Sequence, residues 1–380
     1  MNIGLVVFPF HPNHGCILQT FALYTKLKEE GHQVVIINRR SQPINAFFEL
    51  KRAIRNLKNR ITGQYKGPIF YKGYIPKEIM SNLDPFIKSY FGDNVYTFYN
   101  AEDTRAFVEK NHFDAFVVGS DQVWRPQYIP DIYHYYLDFV PQDEKLKRIA
   151  FCPSFGTEKW EYTPEQAEKC KALFALFDGV AVRESSGVQL CDEHFGKKAI
   201  HLLDPTILYP AEKYSQTFSG GQINKKVASQ KGVVSVYYIF GNEWKYKLAN
   251  KVASILGLEE NVVISQIKDQ NARLKDRIAP SLDTWIKGYI DAEFVVTDSF
   301  HSTMFALYYN KPFVTIANEQ TGAARFQSIL KVLNLQYRII TNPNEVTAEL
   351  LNRKIDWDIV NDYLDNQRKR SIDFLTGCLK

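Results

Sequence analysis

The chain has little that would tie it to a metal centre, a membrane span or a disulfide framework. Its five cysteines (Cys16, Cys152, Cys170, Cys191 and Cys378) are odd in number and scattered, which argues against a disulfide scaffold and suits a reducing compartment. No pair has zinc-finger spacing and there is no His-Glu-x-x-His, so no metal ligand set is visible and none is expected. No apolar run reaches the ~20 residues needed to span a bilayer. The opening residues, 1–9, lack a basic lead and a long apolar core, so they read as a first strand and not a signal peptide. The expected address is the cytoplasm. Charge of one sign is scarce too: a formal net charge of +5 over 380 residues makes no case for nucleic acid. The first strand-to-helix turn carries one glycine where a dinucleotide fingerprint needs three, which argues against a nicotinamide or flavin site.

What is present is a soluble, globular composition, 45% hydrophobic and 23% charged, on a chain long enough for two cores. Short β-branched and aromatic runs alternate with helical spacing, which predicts α/β folding with parallel sheets. Strands are expected at 3–8, 34–37, 113–118, 146–151, 178–182 and 199–203, and again at 232–240, 261–265, 294–296 and 312–316. Residues 67–112 read as loop and helices, and 207–230, with Gly220-Gly221, as a linker. The expected domains are 1–210, 211–355 and a closing helix over 356–380, with a site in the cleft between the first two.

Ligands of open α/β sheets sit at the carboxyl ends of strands, where helix starts turn N–H groups toward an anion. The candidates are the polar residues there. In the stretch 292–307 a strand runs into Thr297-Asp298-Ser299, with a helix expected from about Met304. His301 with the hydroxyls of Ser299, Ser302 and Thr303 suits a phosphate or carboxylate; a self-capped helix start with a packed histidine is the plainer account. Asn13, His14 and Gly15 fill the first turn, where Gly15 either admits a ligand or serves a tight turn. Gly119-Ser120-Asp121 ends another strand, and Asp121 either acts as a general base or hydrogen-bonds its own loop. Arg183 ends a third, as a fork for phosphate or carboxylate or as an ion-pair partner of Glu184. Arg325 falls in the first turn of a helix over 322–333.

Two segments allow a second use. Between 39 and 66, eight basic residues face one acid, Glu49, and Leu50, Ile54, Leu57 and Ile61 continue an apolar side begun by Phe47 and Phe48. Such a helix either packs on its domain with solvated charges, the commoner arrangement, or lies on an anionic membrane surface. Trp124, Tyr128, Tyr133, Tyr135 and Tyr136 form either a sugar-stacking platform or loop packing.

Several motifs, taken in order, resemble the polysaccharide pyruvyl transferase family. They are Asn13-His14-Gly15-Cys16-Ile17-Leu18-Gln19, Val118-Gly119-Ser120-Asp121-Gln122-Val123-Trp124, Ser154-Phe155-Gly156, Val182-Arg183-Glu184, Leu203-Asp204-Pro205-Thr206, Thr297-Asp298-Ser299-Phe300-His301-Ser302 and Arg325-Phe326. The resemblance implies two Rossmann-like domains facing across a cleft, similar to GT-B glycosyltransferases. It also implies transfer of the enolpyruvyl unit of phosphoenolpyruvate (PEP) onto a sugar hydroxyl pair, giving a pyruvate ketal in surface polysaccharide or lipid-linked repeat-unit biosynthesis. PEP is then the donor substrate, a saccharide the acceptor, and no cofactor is implied. By the same resemblance Arg183 and His301 match positions that contact PEP, and Asp121 matches an acidic position near the reacting groups. His301 and Asp121 are thus the catalytic candidates. Arg183, Ser299, Ser302, Asn13, Gly15, Ser120 and Arg325 are the substrate-binding ones. Some members carry Arg-x-His where this chain has Ser299-Phe300-His301, which leaves Arg325 or Lys311 to supply the cation. Two alternatives stand beside this reading: a nucleotide-sugar glycosyltransferase of GT-B fold, and a non-catalytic glycan-binding member of a polysaccharide assembly complex.

Overall fold

The computed structural model describes residues 1–40, 46–62, 77–129, 131–218, 232–239, 242–264, 274–317 and 323–380. Two parallel sheets organise them. The first takes β1 (Asn2–Val7), β2 (Gln33–Arg39), β3 (Val95–Phe98), β4 (Ala115–Val118), β5 (Lys147–Phe151), β6 (Gly179–Val182) and β7 (Ile200–His201), in the order β3-β2-β1-β4-β5-β6-β7. The second takes β8 (Val233–Tyr238), β9 (Glu259–Ile264), β10 (Ala292–Thr297), β11 (Phe313–Ile316) and β12 (Ile339–Ile340), in the order β12-β11-β10-β8-β9. These are two Rossmann-like domains. The central strands are apolar along their whole length because helices cover both faces of a parallel sheet: every residue of Ala115–Val118 is buried.

Two expectations are corrected. Residues 67–112 hold an edge strand, β3, as well as helices. It pairs with β2 alone and leaves Tyr96 exposed, so it lacks the apolar run that marks a central strand. The expected linker begins with a helix, Ala211–Phe218, which buries Tyr214 and Phe218. Gly220-Gly221 and the rest of 219–231 lie outside the described residues.

The last helix, Trp357–Leu379, returns to the first sheet. A Cβ on Gly179 would sit 2.3 Å from Cys378 Sγ, so glycine at the start of β6 admits this helix. Arg368 Nε donates to the Ile207 carbonyl at 2.8 Å, and Lys147 Nζ to the Cys378 carbonyl at 3.1 Å.

One hydrophobic core runs from the first domain into the second. His14, at the start of the helix His14–Glu29, is buried against the second domain, its ring stacked on Trp285 with centroids 5.4 Å apart. Its Nε2 lies 2.8 Å from the Pro280 carbonyl and its Nδ1 3.2 Å from the Tyr237 hydroxyl. That pattern fits a neutral ring donating from Nε2 and accepting at Nδ1. Burial pushes its pKa down to about 4.

Candidate functional site

The strand ends of both sheets meet at a small hollow of about 70 Å³. Asn13, Asp121, Gln122 and Tyr128 line it from the first domain; Ile239, Asp298, Ser299, Phe300, His301 and Arg325 line it from the second. The helix after β10 begins at Phe300 and not near Met304, because Ser299 caps it by accepting the Ser302 N–H at 3.3 Å. His301 therefore stands in its first turn. Asn13 caps the helix His14–Glu29 in the same way, through the Cys16 N–H at 3.3 Å. Two capped helix starts thus border the hollow, one from each domain, and both favour negative charge.

Gly15 marks their closest approach. A Cβ there would lie 2.1 Å from the His301 ring, so only glycine lets the first helix pass beneath that imidazole.

Beneath the hollow lies a buried ionic cluster centred on Asp204, which is fully buried. Its Oδ2 accepts from Arg183 Nη1 at 2.8 Å and faces Ser120 Oγ at 3.2 Å. Its Oδ1 accepts the Thr206 N–H at 3.1 Å and hydroxyl at 2.9 Å. His301 Nε2 reaches across the domain boundary to within 3.3 Å of Oδ2, close enough for an ion pair but not aligned as a hydrogen bond. Burial raises the Asp204 pKa, but His301, Arg183 and the Thr206 donor outweigh it and hold the group well below the usual carboxylate range.

Arg183 is 2% exposed and enclosed by carboxylates. Besides Asp204 it faces Glu184 at 3.4 Å and Asp121 at 3.6 Å. Burial alone would lower its pKa; the three carboxylates raise it instead. It lies behind the Phe300 ring, 5.1 Å from the centroid, and does not line the hollow. Arg325 Cζ lies 5.4 Å from the same centroid and does line it. Burial, then repulsion from Arg183, brings Arg325 down to about 10. Lys311 is elsewhere, its ammonium donating to the Ile290 carbonyl at 3.0 Å. Arg325 is the candidate cation that reaches the hollow.

Asp121 has a positive φ of 83°, rare for a residue with a Cβ. Its carbonyl accepts the Val123 and Ser154 N–H groups at 2.7 and 2.9 Å, which fixes the loop. Burial pushes its carboxyl up, but Arg183, His301 and Arg325 outweigh this and hold it below the ordinary value. Three deeply buried atoms, Arg183 Nη2, Glu184 Oε2 and His301 Nε2, make no hydrogen bond among the described residues. Two of them face carboxylates instead, Arg183 Nη2 facing Asp121 at 3.6 Å and His301 Nε2 facing Asp204 at 3.3 Å.

Two expected contact residues face inward. Ser120 is fully buried and spends its hydroxyl on the Cys152 carbonyl at 2.6 Å and Asp204. Ser302 is fully buried and accepts from the Tyr289 hydroxyl at 2.7 Å. Neither reaches the hollow. Of the aromatic group, Trp124, Tyr135 and Tyr136 are core, with Trp124 stacked on Tyr136. Tyr128 is 43% exposed and lines the hollow. The expected site residues omitted Asp204, whose one local sign is Asp-Pro-Thr directly after a strand.

Comparison with known proteins places this geometry. The family model described as polysaccharide pyruvyl transferase matches residues 13–320. No curated protein matches the chain. Among solved structures it is similar to Arabidopsis thaliana UGT89C1 complexed with UDP, at 10% identity, 99% of this chain, 98% of that chain and TM-score 0.52. It is similar also to the Candida albicans trehalose-6-phosphate phosphatase N-terminal domain, at 10% identity, 100% and 96% coverage and TM-score 0.52. An O-GlcNAc transferase mutant from Thermobaculum terrenum aligns at 12% identity and TM-score 0.44; the chain is covered over 98% and spans 64% of that protein. At these identities the likeness concerns the fold, which is that of GT-B glycosyltransferases.

Proposed function

The chain belongs to the polysaccharide pyruvyl transferase family, and on that premise we propose that the hollow binds PEP and transfers its enolpyruvyl unit to a hydroxyl pair of a saccharide. The observation that carries this reading is the meeting of His301 with the Asp204–Arg183–Asp121 cluster across the domain boundary. Arg325 and the two capped helix starts are suited to the donor's carboxylate and phosphate.

The reaction moves two protons. One acceptor hydroxyl oxygen bonds to C2 of the donor while the methylene carbon gains a proton and becomes a methyl. The C2–O bond to phosphate then breaks, phosphate leaves with the electron pair and the second proton, and the second hydroxyl closes the ketal. His301 is placed to hold a proton at the leaving phosphate. Asp121 is ionised and is a weak base because its pKa is depressed. It therefore takes the first hydroxyl's proton as the C–O bond forms, when that proton is most acidic, and passes it on to the methylene carbon. Arg183 acts from behind, by holding Asp121 and Asp204 charged and in place.

The test incubates the protein with PEP and a panel of saccharides, free and lipid-linked, and scores ketal by mass spectrometry together with phosphate release. His301→Ala and Asp121→Ala are each expected to lower turnover about 10²-fold or more with the fold intact. Full turnover in either variant removes that residue from the mechanism. A melting temperature raised by a nucleoside diphosphate and not by PEP would favour the glycosyltransferase reading instead.

A further inference from the structure

The helix Ala46–Ile61 follows β2, and β2 ends on the same edge of the first sheet as the strands that lead to Asn13, Asp121 and Arg183. It turns an apolar stripe to solvent: Leu50 is 54% exposed, Ile54 61%, Leu57 45% and Ile61 78%. At 3.6 residues per turn these four positions fall within an arc of about 60°. Among the helix residues whose burial is described, Ala53 is the buried one, to one flank of that arc. The commoner arrangement, apolar side packed and charges solvated, therefore does not hold for these four residues. Single exposed leucines are ordinary on a soluble surface; four in register form a patch that wants an occupant.

Charge selects the occupant. Lys58 and Arg60 are exposed on opposite sides of the stripe, and Arg55 is exposed farther round. No Asp or Glu occurs from Leu50 to Ile61. A second copy of the chain meeting this face across a two-fold axis would set like charges together. An apolar stripe bracketed by cations, on a helix with five basic residues and one acid, Glu49, is the pattern of a helix lying in the plane of an anionic bilayer surface. None of the described helices is long and apolar enough to cross a membrane, so the contact is lateral.

We propose that the helix Ala46–Ile61 docks the protein on an anionic lipid surface. Leu50, Ile54, Leu57 and Ile61 enter the headgroup boundary, and Arg55, Lys58 and Arg60 meet lipid phosphates. Docking would bring the strand-end edge, and with it the hollow, to the surface that carries a lipid-linked acceptor; this last clause alone rests on the proposed function.

The test sediments the full chain with vesicles of phosphatidylcholine, alone or with phosphatidylglycerol added. Retention is expected on the anionic vesicles only, falling as salt rises. A triple Arg55→Glu, Lys58→Glu, Arg60→Glu variant and a triple Ile54→Ser, Leu57→Ser, Ile61→Ser variant are each expected to lower partitioning about 100-fold, with melting unchanged because these side chains are exposed. Equal retention on neutral vesicles, no retention on either, or undiminished retention of the variants overturns the proposal. So does a serine variant that changes oligomeric state by light scattering, which assigns the patch to a protein partner. Phosphate release from PEP with a water-soluble acceptor is expected to survive in both variants, so failure of docking is distinguishable from failure of the donor assignment.

Discussion

Arg183 and Arg325 approach one aromatic ring, Phe300, at nearly equal distances, and their environments are opposite. Arg183 comes from the first domain and is enclosed by Asp121, Glu184 and Asp204, so its charge is more than matched before any substrate arrives. Arg325 comes from the second domain, borders the hollow, and loses basicity through burial and the neighbouring guanidinium. The lesson is that a buried arginine at a strand end is not by itself an anion site. What matters is how much of its charge the protein has already spent. Arg183 is enclosed by carboxylates below the hollow, whereas Arg325 borders it.

The contrast breaks most readily by truncation. Arg183→Ala strips the cation from three buried carboxylates and is expected to cost about 3–5 kcal/mol in denaturant unfolding. Arg325→Ala is expected to destabilise less, because repulsion from Arg183 offsets part of its attraction to Asp121 and Glu184. Its effect should fall on KM for the donor, read from initial rates. If the two phenotypes came out exchanged, the distinction between the arginines would be wrong.

The histidines give a second pair, separable by pH. His14 is buried neutral with a pKa near 4, so between pH 6.5 and 4 the unfolded chain binds a proton that the folded one refuses. Stability should rise with pH across that window, by about 3 kcal/mol from this group, and be fully present above 6.5. His14→Gln should flatten that slope in urea titrations at successive pH values. Below about pH 4 a further loss is expected as Asp121 and Asp204, whose pKa values are depressed in the fold, take up protons.

Gly15→Ala sharpens the contact between the domains. The added methyl would collide with the His301 ring, so a destabilisation of about 1–3 kcal/mol is expected, together with loss of ketal formation. The smallest effect on turnover is expected of Ser302→Ala. It removes the acceptor of the Tyr289 hydroxyl and should cost about 1 kcal/mol, with turnover unchanged because the side chain does not face the hollow.

Much of the architecture was legible in the sequence, because long parallel strands advertise themselves by continuous apolar runs. The misses have physical causes. The edge strand β3 is half-wet, and the helix Ala211–Phe218 hides in a polar stretch whose few apolar residues carry its packing. Among site residues, sequence marked which turns carry polar groups but not which way each hydroxyl points. Ser299 and Ser302 are three residues apart, yet one borders the hollow and the other faces Tyr289. The role of Asp204 emerges only when residues 84 and 21 positions away, Ser120 and Arg183, fold against it.

The left-handed backbone at Asp121 has a further consequence. A side chain held there costs about 1–3 kcal/mol that glycine would not. The carboxylate is kept against the conformational preference of its own residue, by carbonyl hydrogen bonds that any amino acid at that position could make. Asp121→Gly would relieve the backbone but would remove the acceptor of the Gln122 N–H and a carboxylate that faces Arg183. Backbone ease and the ionic cluster therefore set opposite demands on this one position.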